Sequence, residues 1–172
     1  MTAKILLLDI ETAPKVAYVW KFWQENVSAK QVLQHGHLMS FAAKWLDQDE
    51  VYYMENRKED DKKIIEYLLY FLNEADIVVA HNGNRFDVPQ INARALVHGL
   101  KPPSPFKVVD TYRVAKKHFN FPSNSLEYLC KVLDLPVKKG SHKKFAGFEL
   151  WLECLRNNDE AWAEMKEYNI ID

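Results

Sequence analysis

Cysteine is nearly missing from this chain, with only Cys130 and Cys154 among 172 residues. No zinc-type pairing surrounds either one, so they read as reduced thiols packed on helices. No apolar run reaches membrane-spanning length, and residues 4–9 are too short and too soon charged for a secretion signal. A soluble, cytoplasmic protein with no membrane contact is therefore expected. An excess of either charge is missing too: 23 basic side chains face 24 acidic ones, for a net charge of -1. That excludes the broad electrostatic signature of duplex binding, so any grip on a polyanion must come from local patches. Internal repeats, low-complexity tracts and linkers are also lacking. What remains is 48% hydrophobic and 13% aromatic. Such a composition suits one domain over residues 1–172, long enough to bury a proper core.

The pattern along the chain is mixed. Residues 4–11 (KILLLDIE) form a short aliphatic run ending in acids, which predicts a buried central strand. Residues 38–46 and 50–56 predict two more strands joined by a polar hairpin turn. An apolar stripe at Ile64, Ile65, Leu68, Leu69 and Leu72 predicts a helix over 58–73. A strand at 76–80 follows, then a turn rich in asparagine and glycine at 81–85. The next helix, 88–98, tolerates Pro89 in its first turn and ends at Gly99. A brief strand at 106–110 precedes a helix at 111–118. Asn124 with Glu127 predicts a capping box opening a helix to Leu133. Residues 138–144 (KKGSHKK) form a basic loop, and helices fill 148–157 and 159–172. Strands first, then strands alternating with helices, predict an α/β fold with a mixed sheet.

Three segments carry candidate chemistry. Asp9 and Glu11 stand two apart on a strand and so point to one face. Either they are solvated acids at a strand end, or a divalent cation with oxygen ligands compensates their repulsion and lost hydration. The second segment, HNGNRFDVP at residues 81–89, is a polar glycine turn at the carboxyl end of a strand, where open α/β folds place their sites. Asp87 there can be a helix cap, a dipole partner or a ligand. Asn82 can stiffen the turn or face a ligand, and Phe86 can be core or a stacking surface. The third segment is YNIID at 168–172, where Tyr168 and Asp172 share a helix side. Alone, that pair is an ordinary polar helix edge. His81 reads as a turn residue or a support behind the ligands, and none of the six histidines is needed as a ligand. Asp110 reads as support for Thr111 and the turn. Lys138, Lys139, His142, Lys143 and Lys144 form the densest basic patch, which either tracks phosphates or is a solvated loop. Trp20 and Trp23 can stack on bases, pack, or form a lid.

In order along the chain, DIE at 9–11, NGNRFD at 82–87 and YNIID at 168–172 resemble the three motifs of the DEDD exonuclease superfamily, tyrosine subtype. The resemblance is closest to stand-alone exonucleases related to the proofreading domains of family B DNA polymerases, many of them encoded by phages. It spans essentially the whole chain, with further echoes in SFAAKW (40–45), VDT (109–111) and NSLEYL (124–129). It implies a ribonuclease-H-like mixed sheet flanked by helices. It also implies a 3′–5′ exonuclease releasing nucleoside monophosphates from single-stranded nucleic acid, with DNA favoured. Two cations, Mg²⁺ or Mn²⁺, would be held by Asp9, Glu11, Asp87 and Asp172. Asp9 would bridge both, Glu11 and Asp172 would complete the tighter site, and Asp87 would serve the second. Tyr168 would orient the attacking water, since a phenol's ordinary pKa near 10 makes it a poor base. Thr12 and Phe86 would contact the terminal nucleotide, Asn82 the substrate, and Lys138, Lys139, Lys143 and Lys144 the phosphates.

A monomer is expected, with a DNA polymerase or replication protein as a possible partner and, for a phage protein, the host cytoplasm as its location. Two other readings stay open: an RNA exonuclease or endonuclease on the same fold, and a catalytically idle nucleic-acid-binding or polymerase accessory module. Asp172 is the last residue of the sequence. A helix end bearing a second carboxylate should fray, so the natural chain is expected to continue and Asp172 to be poorly placed without metal.

Overall fold

The computed structural model describes residues 2–23, 26–136 and 144–172. Five strands form one mixed sheet in the order β5-β4-β1-β6-β7. These are β1 (Ile5–Thr12), β4 (Leu38–Trp45), β5 (Val51–Glu55), β6 (Ile77–Ala80) and β7 (Lys107–Asp110). The hairpin of β4 and β5 runs antiparallel beside β1, while β6 and β7 run parallel to it. A separate ribbon pairs β2 (Val16–Ala17) with β3 (Val32–Gln34). The helices are α1 (Lys62–Glu74), α2 (Asp87–Val97), α3 (Thr111–His118), α4 (Leu126–Val132), α5 (Glu149–Leu155) and α6 (Asp159–Ile171). The α/β class expected from the alternation is thus observed. No helix among the described residues is long and apolar enough to cross a membrane.

Alternation along β1 decides what lies on each face of the sheet. Leu6, Leu8 and Ile10 are buried with the apolar stripe of α1 and with Ile91 and Ala95 of α2. The opposite face is covered by α5 and α6, whose Leu150, Cys154, Ala161, Trp162 and Met165 form a second core with Met39. Asp9 and Glu11 belong to that second face, at the end where β1 leaves the apolar interior.

Several helix limits differ from expectation for local reasons. Helix α1 begins at Lys62 rather than 58, and the Asp60 carboxylate accepts the Lys62 N–H. Asp61, fully buried, is held by both nitrogens of the Arg94 fork, by His98 (2.5 Å) and by the Leu38 N–H (2.7 Å). This knot ties α1, α2 and β4 together. Burial opposes the Asp61 charge, but those partners outweigh it and hold the carboxyl below the usual range. Helix α4 is capped by Ser125, which accepts from Tyr128 N–H, and not by Asn124. Two good capping residues stand side by side there, and the second fits the helix. Helix α2 ends as expected: Gly99 has φ +67° and Leu100 N–H reaches Ala95 O.

Candidate active site

The site grows from a gap beside the central strand. Strand β6 pairs with β1 only from Ile5 to Leu7, so beyond Leu8 that edge of β1 is open. The first turn of α2 enters the gap, and Asp87 Oδ1 accepts the Ile10 N–H at 3.3 Å. The turn after β6 makes this approach possible. A Cβ on Gly83 would stand 2.6 Å from the Ala80 Cβ, so only glycine fits. Asn82 takes a positive φ of 69°, a conformation asparagine tolerates better than most residues. Its N–H and that of Asn84 donate to buried Asp110, whose carboxylate also accepts Arg113 N–H at the start of α3. Asp110 therefore braces the turn, as its sequence position suggested, and Asn82 is fixed through its backbone.

Each acid on β1 has a partner from the covering helices. Asn169, fully buried on α6, donates its Nδ2 to Asp9 Oδ2 (2.6 Å), while its Oδ1 accepts from Ser40 Oγ (2.8 Å). Trp151 on α5 donates its indole N–H to Glu11 Oε2 (3.2 Å) and meets the Tyr168 ring edge-on at 5.8 Å. Asn169 and Ser40 fall inside the motifs YNIID and SFAAKW, but sequence reading assigned no role to them or to Trp151. The side chains lie far apart along the chain, and only packing of α5 and α6 across the sheet joins them. Asp172 closes the last helix: its N–H donates to Tyr168 O, and it lines two cavities together with Asp9. One of them, 410 Å³, is walled by Asp9, His81, Asn82, Arg85, Tyr112 and Asp172 among others. Arg85 is the exposed cation of that wall, and the sequence reading passed over it.

The electrostatics of the group are those of crowded, poorly hydrated acids. Burial above all pushes the Asp9 carboxyl well above the usual range, and the charges of Glu11, Asp87 and Asp172 add to it. The Asn169 amide opposes the shift without cancelling it. Burial likewise raises Asp87 to about 6, against the pull of its own and Ile10's N–H groups. A pocket with hard oxygen donors and neighbouring carboxylates that repel one another fits a divalent cation such as Mg²⁺ or Mn²⁺ in its chemistry. Among the described residues, however, no three His, Cys, Asp or Glu side chains already stand as a metal-holding cluster. The four acids neighbour one another without being drawn together.

The other candidates fall in different places. Thr12 closes β1, opposite Leu38 on β4. Phe86 precedes α2 and is 36% exposed, so it is not core. His81 joins Thr111 Oγ1 at 2.9 Å and meets Tyr112 edge-on. Lys144 is engaged elsewhere: its ammonium pairs with Glu160 and its N–H with Glu164 Oε2. Glu160 lies twelve residues before Asp172 on α6, about 18 Å along the helix axis, so the structure does not bring Lys144 to the acids. Lys138, Lys139, His142 and Lys143 lie outside the described residues.

A family model described as RNase H superfamily matches residues 6–172, nearly the whole chain. The chain belongs to the RNase H superfamily. Its mixed sheet, with β4 and β5 antiparallel and β6 and β7 parallel to β1, is that superfamily's fold, and membership supports nuclease or related hydrolase chemistry on a nucleic acid. No curated protein sequence matches the chain. Among solved structures, it is similar to the family B DNA polymerase from the hyperthermophilic archaeon Pyrobaculum calidifontis, with a TM-score of 0.70 and 17% identity. That match covers 100% of this chain and 23% of the polymerase, so the chain spans less than a quarter of the polymerase's length. At such identity the likeness concerns the fold alone.

Proposed function

We propose that this RNase H superfamily member is a 3′–5′ exonuclease of the DEDD tyrosine subtype, acting on single-stranded DNA and using two divalent cations. The observation that carries the reading is that Glu11, Asp87 and Asp172, from three different elements, all neighbour the half-buried carboxyl of Asp9: Asp172 shares two cavities with it, and Asp87 takes the N–H of Ile10 next to it. A structural role gives no reason for assembling four carboxylates at the open end of a central strand. When bound, the cations would stabilise the attacking and leaving oxygens of an in-line displacement and acidify the attacking water. Asp9 would serve both ions, Glu11 and Asp172 one, and Asp87 the other.

The remaining work belongs to side chains that bind and orient. Asn169 holds the Asp9 carboxylate in one rotation, and Trp151 does the same for Glu11. The Tyr168 hydroxyl would hold the attacking water in line, while Arg85 offers a guanidinium to the substrate phosphate within the same cavity as Asp9. Thr12 and Phe86 are the candidates to meet the terminal nucleotide.

A 5′-labelled single-stranded oligonucleotide incubated with the protein and Mn²⁺ tests the reading. A ladder shortening stepwise from the 3′ end, lost with EDTA and with Asp9→Ala, is expected. Internal cuts would support an endonuclease, preference for RNA would move the substrate class, and equal activity of Asp9→Ala would remove the site.

A further inference from the structure

The aromatic segment at residues 18–23 has no place in the site described so far. Packing against the body of the protein was one expectation for its tryptophans, and the structure removes it. Trp20 is 92% exposed, Phe22 94%, Trp23 84% and Tyr18 71%. Rings of this size present roughly 150–250 Å² each, and four exposed within six residues are more apolar surface than a short segment of a monomer ordinarily leaves in water. Val16, Val19 and Leu33 extend the apolar surface onto the ribbon of β2 and β3.

We infer that residues 18–23 form a stacking platform for the single strand upstream of the terminal nucleotide. This rests on the exonuclease reading above and adds where the rest of the substrate lies. Two observations choose this occupant. The first is charge. Between Thr12 and Trp23 there is no acidic residue, while Lys15 and Lys21 are present, Lys21 directly between Trp20 and Phe22. Lysine is depleted at the centres of protein–protein contacts. Aromatic faces interleaved with cations are instead how proteins hold single strands without regard to sequence. The second is continuity with the site. The segment issues from the end of β1 that bears Asp9 and Glu11. It is anchored there by Ala13 N–H to His37 O (2.8 Å), Tyr18 N–H to Gln31 O (2.9 Å) and Gln31 Nε2 to Tyr18 O (2.9 Å). Tyr18 lies seven positions after Glu11, a span of at most about 25 Å for a fully extended chain. A strand whose 3′ end sits at Asp9 needs to extend no further than that span from Glu11 to meet the first of these rings. Because every base has a π face, such a platform accepts any sequence as the strand advances.

The test measures binding, with hydrolysis held off by EDTA. Fluorescein-labelled oligothymidylates of 3 and 20 nucleotides are titrated with the full chain and with Trp20→Ala/Phe22→Ala/Trp23→Ala. Loss of stacking is worth roughly 5- to 150-fold in affinity for each base. The unaltered protein should bind the 20-mer far more tightly than the 3-mer, with quenching of tryptophan emission. The triple variant should lose most of that length dependence while its melting temperature stays the same, since the truncated rings are exposed. Should the triple variant not fold, Trp20→Ala alone carries the test. Equal 20-mer affinity in variant and unaltered protein overturns the platform and leaves the exonuclease reading standing. An unaltered protein that neither binds nor degrades any oligonucleotide overturns both. A dimer that becomes monomeric in the variant, with DNA affinity unchanged, overturns the platform in favour of contact between copies of this chain.

Discussion

Asn169 and Trp151 hold the two acids of β1 by one hydrogen bond each, and both act on the carboxylates rather than on substrate. Partners of this kind, behind the ligands of a metal, typically matter 10- to 100-fold in affinity or activity. Trp151→Phe keeps an aromatic ring beside Tyr168 but removes the N–H to Glu11 together with the second ring of the indole. It should weaken Mn²⁺ binding about 10-fold or more, read by titration calorimetry, and lower the melting temperature through packing lost from the second core; undiminished Mn²⁺ affinity would deny Trp151 that positioning role. The acids also predict a pH dependence. Asp87 stands at about 6 in the folded protein, against an ordinary value near 3.8. The folded state therefore holds its proton over a window where the unfolded chain has lost it. Stability without metal should fall as pH rises from about 4 to 6, by roughly 3 kcal/mol at most from Asp87, with Asp9 adding in the same direction. Calorimetric melting in EDTA checks this. A cation bound by the same carboxylates favours their ionised forms, so Mn²⁺ should flatten the slope, and a slope equally steep with saturating Mn²⁺ would place the ion elsewhere.

Among the elements, the turn between β6 and α2 and the knot around Asp61 do the most to place the site. Gly83→Ala would drive a Cβ against Ala80 and push the start of α2 out of the gap beside β1. A loss of about 1–3 kcal/mol is expected, along with weaker Mn²⁺ binding through displacement of Asp87. Arg94→Ala leaves the Asp61 carboxylate buried with His98 and the Leu38 N–H as its remaining partners. A destabilisation of about 3–5 kcal/mol follows, read from urea unfolding, and a loss under 1 kcal/mol would show the knot to be dispensable. Much of this framework is legible in the sequence, because β1, β4 and β6 carry clear aliphatic runs and α1 a clear helical stripe. The ribbon of β2 and β3 is not, since two and three residues are too few to show a period. The knot is also hidden: Asp61, Arg94 and His98 read as ordinary surface charges until α1 and α2 pack side by side. Of the proposed site, the acids stand out in the sequence as ordered motifs. Asn169 and Trp151 do not, because each gains its role only when a helix near the end of the chain folds back over its first strand.

In the molecule as a whole, the proposed function depends on that return of the chain. The first strand supplies Asp9 and Glu11, the middle supplies Asp87, and the last helix supplies Tyr168 and leads to Asp172. Net charge is close to zero, so the acids are a local concentration and not a general feature of the surface. A protein built this way should gain stability from the ion it binds, by an amount set by ion concentration and affinity. Crystals soaked with Mn²⁺ and a nucleoside monophosphate, and measured for anomalous scattering from manganese, give the most direct view of the site. Two anomalous peaks about 3.5–4 Å apart, both beside Asp9, with Glu11 and Asp172 at one and Asp87 at the other, are expected. No peak at Asp9 at saturating Mn²⁺, or manganese held only by other residues, would contradict the proposed metal site.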